Sequence, residues 1–261
     1  MQPPRRGRHR RLLRRAGTLF FFAQVGSTVL AAGCRPFDHP RPLVLTSHPV
    51  GLSASNPGQR QVGGLVFRGG VEIESADPDF GGLSSLMVSA DGRRFLAISD
   101  ESHRISGSLE YRDGMLVAAR GGTIAPLLAP DGAFLVGKDG DAEGMAGAHA
   151  DDDFGDVFVS FEGEHRIWRY TGWSDGRPDA ADPLPTNLPL PALATAAPPN
   201  EGLEALARID KGRLLAVSEH LLDEHGNLRA WVLPFAEAPG EAVPGPDLAL
   251  SIHAVPPFSV T

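Results

Sequence analysis

The sequence predicts an all-β fold, a β-propeller of repeated four-stranded blades, complete or incomplete, behind an N-terminal signal segment. Three observations carry that expectation. A strand–turn–strand unit recurs three times along the chain. Gly (31) and Pro (23) are abundant, as a chain of many turns requires. Past the first 35 residues no stretch sustains a 3.6-residue apolar period, so helix is the minority expectation.

The first copy of the unit enters at Gly82, runs from Leu83 to Ser89, turns at Ala90-Asp91-Gly92 and returns from Arg94 to Asp100. The second runs Glu143-Gly144-Met145-Ala146-Gly147, turns between Asp151 and Gly155, and returns from Asp156 to Glu162. The third runs from Glu201-Gly202 to Ala207, turns at Asp210-Lys211-Gly212 and returns from Arg213 to Glu219. Gly82 to Ser99 spans 17 residues, and Gly144 to Ser160 and Gly202 to Ser218 each span 16. Asp-Gly between apolar runs is a strong hairpin signal. Leu109 to Tyr111, Met115 to Ala118, His165 to Tyr170 and Leu228 to Leu233 supply further strand candidates. A twisted sheet of about four strands cannot bury its own faces and must pack on its neighbours, which is the logic of a propeller. The copies start 62 and 58 residues apart, longer than the roughly 40–50 residues of common propeller repeats, and proline-rich loops such as 172–199 absorb the excess. A β-sandwich with coincident hairpins is the competing reading. Three copies in near-constant register argue against it.

The 261 residues suffice for one large domain or two small ones, and 42 % apolar residues allow a sizeable core. Residues 1–34 stand apart from the rest. They hold seven Arg, from Arg5 to Arg15, and no acid. Ala16 to Ala32 is an uncharged, mostly apolar run that exits through Ala31-Ala32-Gly33-Cys34. Basic head, short apolar middle and small-residue exit predict a secretory signal, with a retained anchor helix as the alternative. Cys34, the lone cysteine, sits where a bacterial lipobox places the residue that is lipidated and becomes the first of the mature chain. Leu30 lies one place too early for the usual pattern, so cleavage without lipidation stays open. The expected location is outside the cytoplasm, periplasmic or lipid-anchored at the cell envelope, with membrane contact only through this segment. A single cysteine excludes an intramolecular disulfide. The fold must stand on its apolar core or on a bound metal.

Residues 35–60 are rich in Pro, Ser, Gly and His and are expected to form a flexible tether. The β-domain is expected over 61–261. It opens with Val62, Leu65, Val66, Phe67, Val71 and Ile73 as two short strands around Arg68-Gly69-Gly70. Beyond the signal the chain carries 17 Lys and Arg against 32 Asp and Glu. That balance argues against nucleic acid as a partner, because such affinity rests on neutralising phosphates with cations. It suits cation binding, or simply a solvated acidic surface.

The copies also carry a family likeness. Phe80-Gly81-Gly82-Leu83-Ser84, then Asp91-Gly92-Arg93 and Ile98-Ser99-Asp100, resembles the opening of the phytase-like domain family ("esterase-like activity of phytase"). Asp141-Ala142-Glu143-Gly144-Met145, Val159-Ser160-Phe161-Glu162 and Arg166-Ile167-Trp168-Arg169-Tyr170 are similar to its middle. Asn200-Glu201-Gly202-Leu203-Glu204 with Val217-Ser218-Glu219 is similar to its third block. The likeness covers roughly 60–261. It implies a β-propeller, usually exported, and a hydrolase of phosphoesters or esters. Family members usually continue past the stretch matching Val255 to Thr261, so the resemblance implies a C-terminally truncated member.

Acids recur at two places in the repeat. Asp141, Glu143, Glu201 and Glu204 flank the glycine, while Asp100, Glu101, Glu162 and Glu219 end the second strand. On blades these positions would form a ring at one end of the channel. Converging carboxylates repel each other unless protons or a cation intervene. Hard oxygen ligands suit Ca²⁺, which could hold and polarise a phosphate. Asp100, Asp141, Glu143, Glu162, Glu201, Glu204 and Glu219 are therefore the candidate metal ligands. The competing reading has them capping strand ends. His103, His165 and His220 follow the strand-terminal acids closely and are candidate acid–base groups. Gly-x-Ser-x-Gly, P-loop, zinc and dinucleotide motifs do not occur. Asp151-Asp152-Asp153 lacks EF-hand spacing. The dense Asp-rich motif of alkaline β-propeller phytases is not evident either. The expected function is calcium-dependent hydrolysis of a small-molecule phosphoester or ester. The alternatives are a non-catalytic propeller that binds a ligand or an envelope partner, and an inactive remnant.

Overall fold

The structure, a computed structural model, describes residues 40–135, 137–149, 154–173, 184–236 and 248–252. The expectations for the signal segment with Cys34, for Asp151 to Asp153 and for Val255 to Thr261 fall outside these residues. What is described is all-β. Strands β1 (Arg41–Leu43), β2 (Thr46–Val50), β3 (Gln61–Val62), β4 (Leu65–Val66) and β5 (Gly70–Glu74) come first. Then follow β6 (Leu83–Val88), β7 (Arg94–Ser99), β8 (His103–Arg112) and β9 (Met115–Pro126). Next are β10 (Ala142–Gly147), β11 (Val157–Phe161), β12 (Arg166–Tyr170) and β13 (Thr186–Leu188). The last group is β14 (Leu203–Asp210), β15 (Arg213–Leu222), β16 (Leu228–Pro234) and β17 (Leu248–Ile252). Among the described residues helix is confined to α1 (Ala192–Thr195) and a 3-10 turn at Gly137–Asp139, and no helix is long and apolar enough to cross a membrane.

Three antiparallel meanders organise these strands: β6-β7-β8-β9 with β1 added outside, β10-β11-β12-β13, and β14-β15-β16-β17. The turns follow the local sequence. At the β6–β7 turn Asp91 accepts hydrogen bonds from the Ser89 hydroxyl and the Arg93 N–H, and Gly92 takes a positive φ of 73°. Each meander closes its first hairpin with one equivalent bond. The N–H of Asp100 donates to Gly82, that of Glu162 to Asp141 and that of Glu219 to Gly202, all at 2.8–2.9 Å. The three strand-terminal acids therefore occupy one structural position.

That bond corrects the sequence register of the second copy. Asp141, not Gly144, stands opposite the terminal acid, and Phe161, not Ser160, matches Ser99 and Ser218. The cause is burial. Every residue of β11 is buried, so β11 shows no polar alternation from which a register could be read.

With the register set, the packing repeats. Counting back from the acid, the odd positions form one face of each sheet and the even positions the other. Leu96 and Ile98, on the even face of the first meander, pack on Val157, Val159 and Phe161, on the odd face of the second. Phe158, on the even face of the second, packs on Leu214 and Ala216, on the odd face of the third. The odd face of the first, with Phe95 and Ala97, is covered by Val71 and Ile73 of β5, and Leu43 of β1 and the following Leu45 join the same cluster. Unlike faces meet at each interface. The first strands of the meanders lie side by side. Ser84 Oγ donates to the Ala142 carbonyl at 2.5 Å, and the Met145 N–H donates to Ser85 Oγ at 3.1 Å. A Cβ on Gly144 would come within 2.9 Å of backbone atoms of Glu204 and Leu206, so β10 and β14 can approach only at a glycine.

Three further expectations need correcting. Residues 35–60 are not all tether, because β1 and β2 lie there and pair with β9 and β5. No hairpin turns at Arg68-Gly69-Gly70. The tight turn falls at Gly63-Gly64 between β3 and β4, and β5 pairs with β2 instead. Burying Val71 and Ile73 on the first meander outweighs the local turn signal. The long 172–199 stretch likewise contains β13 and α1.

Candidate functional site

The carboxylates meet where the first strands of the second and third meanders adjoin. Glu143 and Glu204 occupy one structural position, each two residues beyond the residue that accepts the closing hydrogen bond, and the first meander has Ser84 there. Glu162 and Glu219 end the second strands. Carboxylate oxygens of Asp141, Glu143 and Glu162 lie within 4.8 Å of one another, as do those of Glu162, Glu204 and Glu219. Glu162 belongs to both groups and is 4 % exposed. Its Oε1 accepts the Gly202 N–H at 2.8 Å, which fixes the carboxylate across the seam between the two sheets.

Such crowding is costly for ionised groups. Burial, followed by the charges of Glu204 and Asp141, pushes the Glu143 carboxyl up to about 8. Burial also raises Glu162, opposed by the hydrogen bond from Gly202 and reinforced by Asp141 and Glu219. Glu204 is raised by burial and then by Glu162 and Glu219. With Glu143 pushed up to about 8, the site keeps a proton at neutral pH unless a cation takes its place.

A histidine borders the cluster on each side. His165 is 8 % exposed, and its Nε2 faces the carbonyls of Ala197 and Pro198 at 2.9 and 3.1 Å. An N–H at Nε2 satisfies these carbonyls, which in the neutral ring leaves Nδ1 as the acceptor nitrogen. That Nδ1 is buried without a hydrogen-bond partner and packs with Glu162 against Gly202. His220 is exposed and pairs through Nδ1 with Glu219 at 2.9 Å.

The family model for esterase-like activity of phytase matches residues 78–249. The chain belongs to the phytase-like family. The match begins just before β6 and reaches into β17, so it takes in the three repeated hairpins and every acid of the two groups. No curated protein matches the chain.

Within this phytase-like domain, five of the seven candidate ligands converge: Asp141, Glu143, Glu162, Glu204 and Glu219. Asp100 and Glu201 join neither group. Asp100 packs against Gly82 in the first meander, whose neighbouring position supplies a hydroxyl rather than a carboxylate. Glu201 precedes β14 and turns back, its N–H donating to Pro198. Of the histidines, His103 stands apart. Its charged neighbours are Asp79, Glu101 and Arg41, and burial lowers its proton affinity. The sequence reading missed the Gly202 N–H as a carboxylate anchor. Its only signal was the glycine that precedes the third hairpin.

Proposed function

We propose that the chain is an exported, calcium-dependent propeller hydrolase of a small-molecule phosphoester. The observation that carries this reading is the pair of carboxylate groups sharing Glu162. Front-to-back stacking of three meanders supports the propeller, since each sheet turns the same face toward its predecessor, as a rotational repeat requires. The donor set fits a hard cation. It consists of carboxylate oxygens alone, without a cysteine or a tetrahedral nitrogen set. Asp141, Glu143, Glu162, Glu204 and Glu219 would hold the ion. Bound calcium would supply the positive charge that draws phosphate oxygens into a site otherwise repulsive to them.

The chain's own groups then have distinct tasks. Gly202 and the seam fix Glu162. Glu143 holds a proton when no cation is present and would release it to solvent when a cation binds. His165, with Nε2–H pinned by two carbonyls, offers Nδ1 as a proton acceptor. The family match supports ester-bond hydrolysis as the reaction class, and the basic, then apolar, N-terminal segment supports export.

The test is hydrolysis of p-nitrophenyl phosphate and p-nitrophenyl acetate by the full chain, each with Ca²⁺ and with chelator. Calcium-dependent phosphate release that is lost in Glu162→Gln is expected. Absence of both turnover and a calcium-dependent melting shift would sink the proposal. A melting shift without turnover would leave a calcium-held binding module.

A further inference from the structure

The sheet of β2 and β5 is two strands short of its neighbours. It stacks on the odd face of the first meander and buries Phe95, Ala97 and Ile105 there, beneath Val71 and Ile73. It stops before the inner strand β6. Leu83, Leu86 and Val88 on β6 are left 46 %, 63 % and 47 % exposed. Between them and Gly70, Val71 and Ile73 lies an open apolar groove of about 500 Å³. One edge of β5 pairs with β2; the other is bridged to β9 at its start, where Gly69 pairs with Leu116, and among the described residues no strand pairs with it beyond Gly70. At the other two interfaces the corresponding inner strands are present and adjacent.

We infer that this groove accepts an extended peptide strand, added to the free edge of β5, with apolar side chains at alternate positions and basic ones between. Three features define that occupant. Beyond the Gly69–Leu116 bridge the edge offers unpaired backbone groups, the requirement for strand addition. Side chains on the Val71 and Ile73 face of an added strand point onto Leu83, Leu86 and Val88, and that face must be apolar. Side chains on the opposite face fall beside Glu72 and Glu74, both exposed, where Lys or Arg pairs favourably and an acid is repelled. The front-to-back packing of the other sheets continues across the groove once such a strand is in place.

The probe is the peptide acetyl-Val-Lys-Val-Lys-Val-Lys-Val-amide, titrated into the full chain by isothermal calorimetry, with hydrogen exchange of the β5 amides as a second measurement. Its Val-Glu counterpart has the same alternation and apolar content. Saturable binding of the Val-Lys peptide is expected, at least tenfold weaker for Val-Glu and lost in Leu86→Lys, with slowed exchange in β5. Leu86 is exposed, so that variant folds, and its melting temperature checks this. Equal affinity for both peptides, binding that survives Leu86→Lys, or no binding overturns the inference. A self-associated chain whose dimer is dissolved by Leu86→Lys also overturns it, because a second copy then covers the groove.

Discussion

Glu143 is the residue at which the site's chemistry is most exposed to experiment. Its carboxyl titrates near 8 in the fold against an ordinary value of 4.5. A raised value means that the folded chain keeps a proton the unfolded chain has released. The contribution of this group to stability is therefore complete below about pH 4.5 and is lost as pH rises through about 8. In the presence of chelator, the melting temperature is expected to fall between pH 5 and 9, and Glu143→Gln to flatten that fall. After allowance for solvent screening the gain at pH 8 is about 1 kcal/mol, or about 2–4 °C. An unchanged pH profile in Glu143→Gln would remove the crowding argument. His165 makes the complementary case. Replacing it with Asn keeps one donor toward Ala197 and Pro198 but removes the basic lone pair. The melting temperature is expected to hold within a few degrees while any calcium-dependent turnover falls at least tenfold.

The strands make their predictions through close approach and burial. Gly144→Ala forces a methyl group against the backbone of β14, where neither side can rotate away. A loss of about 1–3 kcal/mol follows, measurable by urea unfolding. Phe158 packs at a tilt against Phe235, ring centroids 4.8 Å apart, and fills the interface between the second and third meanders. Phe158→Ala is expected to cost about 3–5 kcal/mol, whereas Leu86→Ala on the bare strand β6 is expected to cost well under 1 kcal/mol. Equal costs would mean that β6 is covered in solution. At this scale the sequence was legible wherever a strand has one wet side or an Asp-Gly turn, as in β6–β7 and β14–β15. It failed at β11, whose continuous apolar run carries no phase. It failed again at β5, whose partner β2 lies in a stretch rich in turn-forming residues.

The three sheets and the acidic seam act together on stability. A cation that binds only the folded arrangement stabilises it by mass action, about 2.7 kcal/mol at a hundredfold excess over its Kd. The expected rise in melting temperature with Ca²⁺ is about 5–10 °C, largest above pH 8 where Glu143 is ionised, and abolished in a Glu162→Gln, Glu204→Gln double variant. A rise of equal size in that variant would place the calcium elsewhere.

From its sequence alone this chain is determined to be β-rich, turn-punctuated and repetitive, with carboxylates at fixed distances from each tight turn, because local turn chemistry and side-chain alternation are written residue by residue. Which acids meet was decided only by the tertiary structure. The seam between β10 and β14 gathers Asp141, Glu143, Glu162, Glu204 and Glu219 and leaves Asp100 and Glu201 outside. That selection depends on which face of each sheet packs on the next, a property of paired surfaces rather than of any one strand.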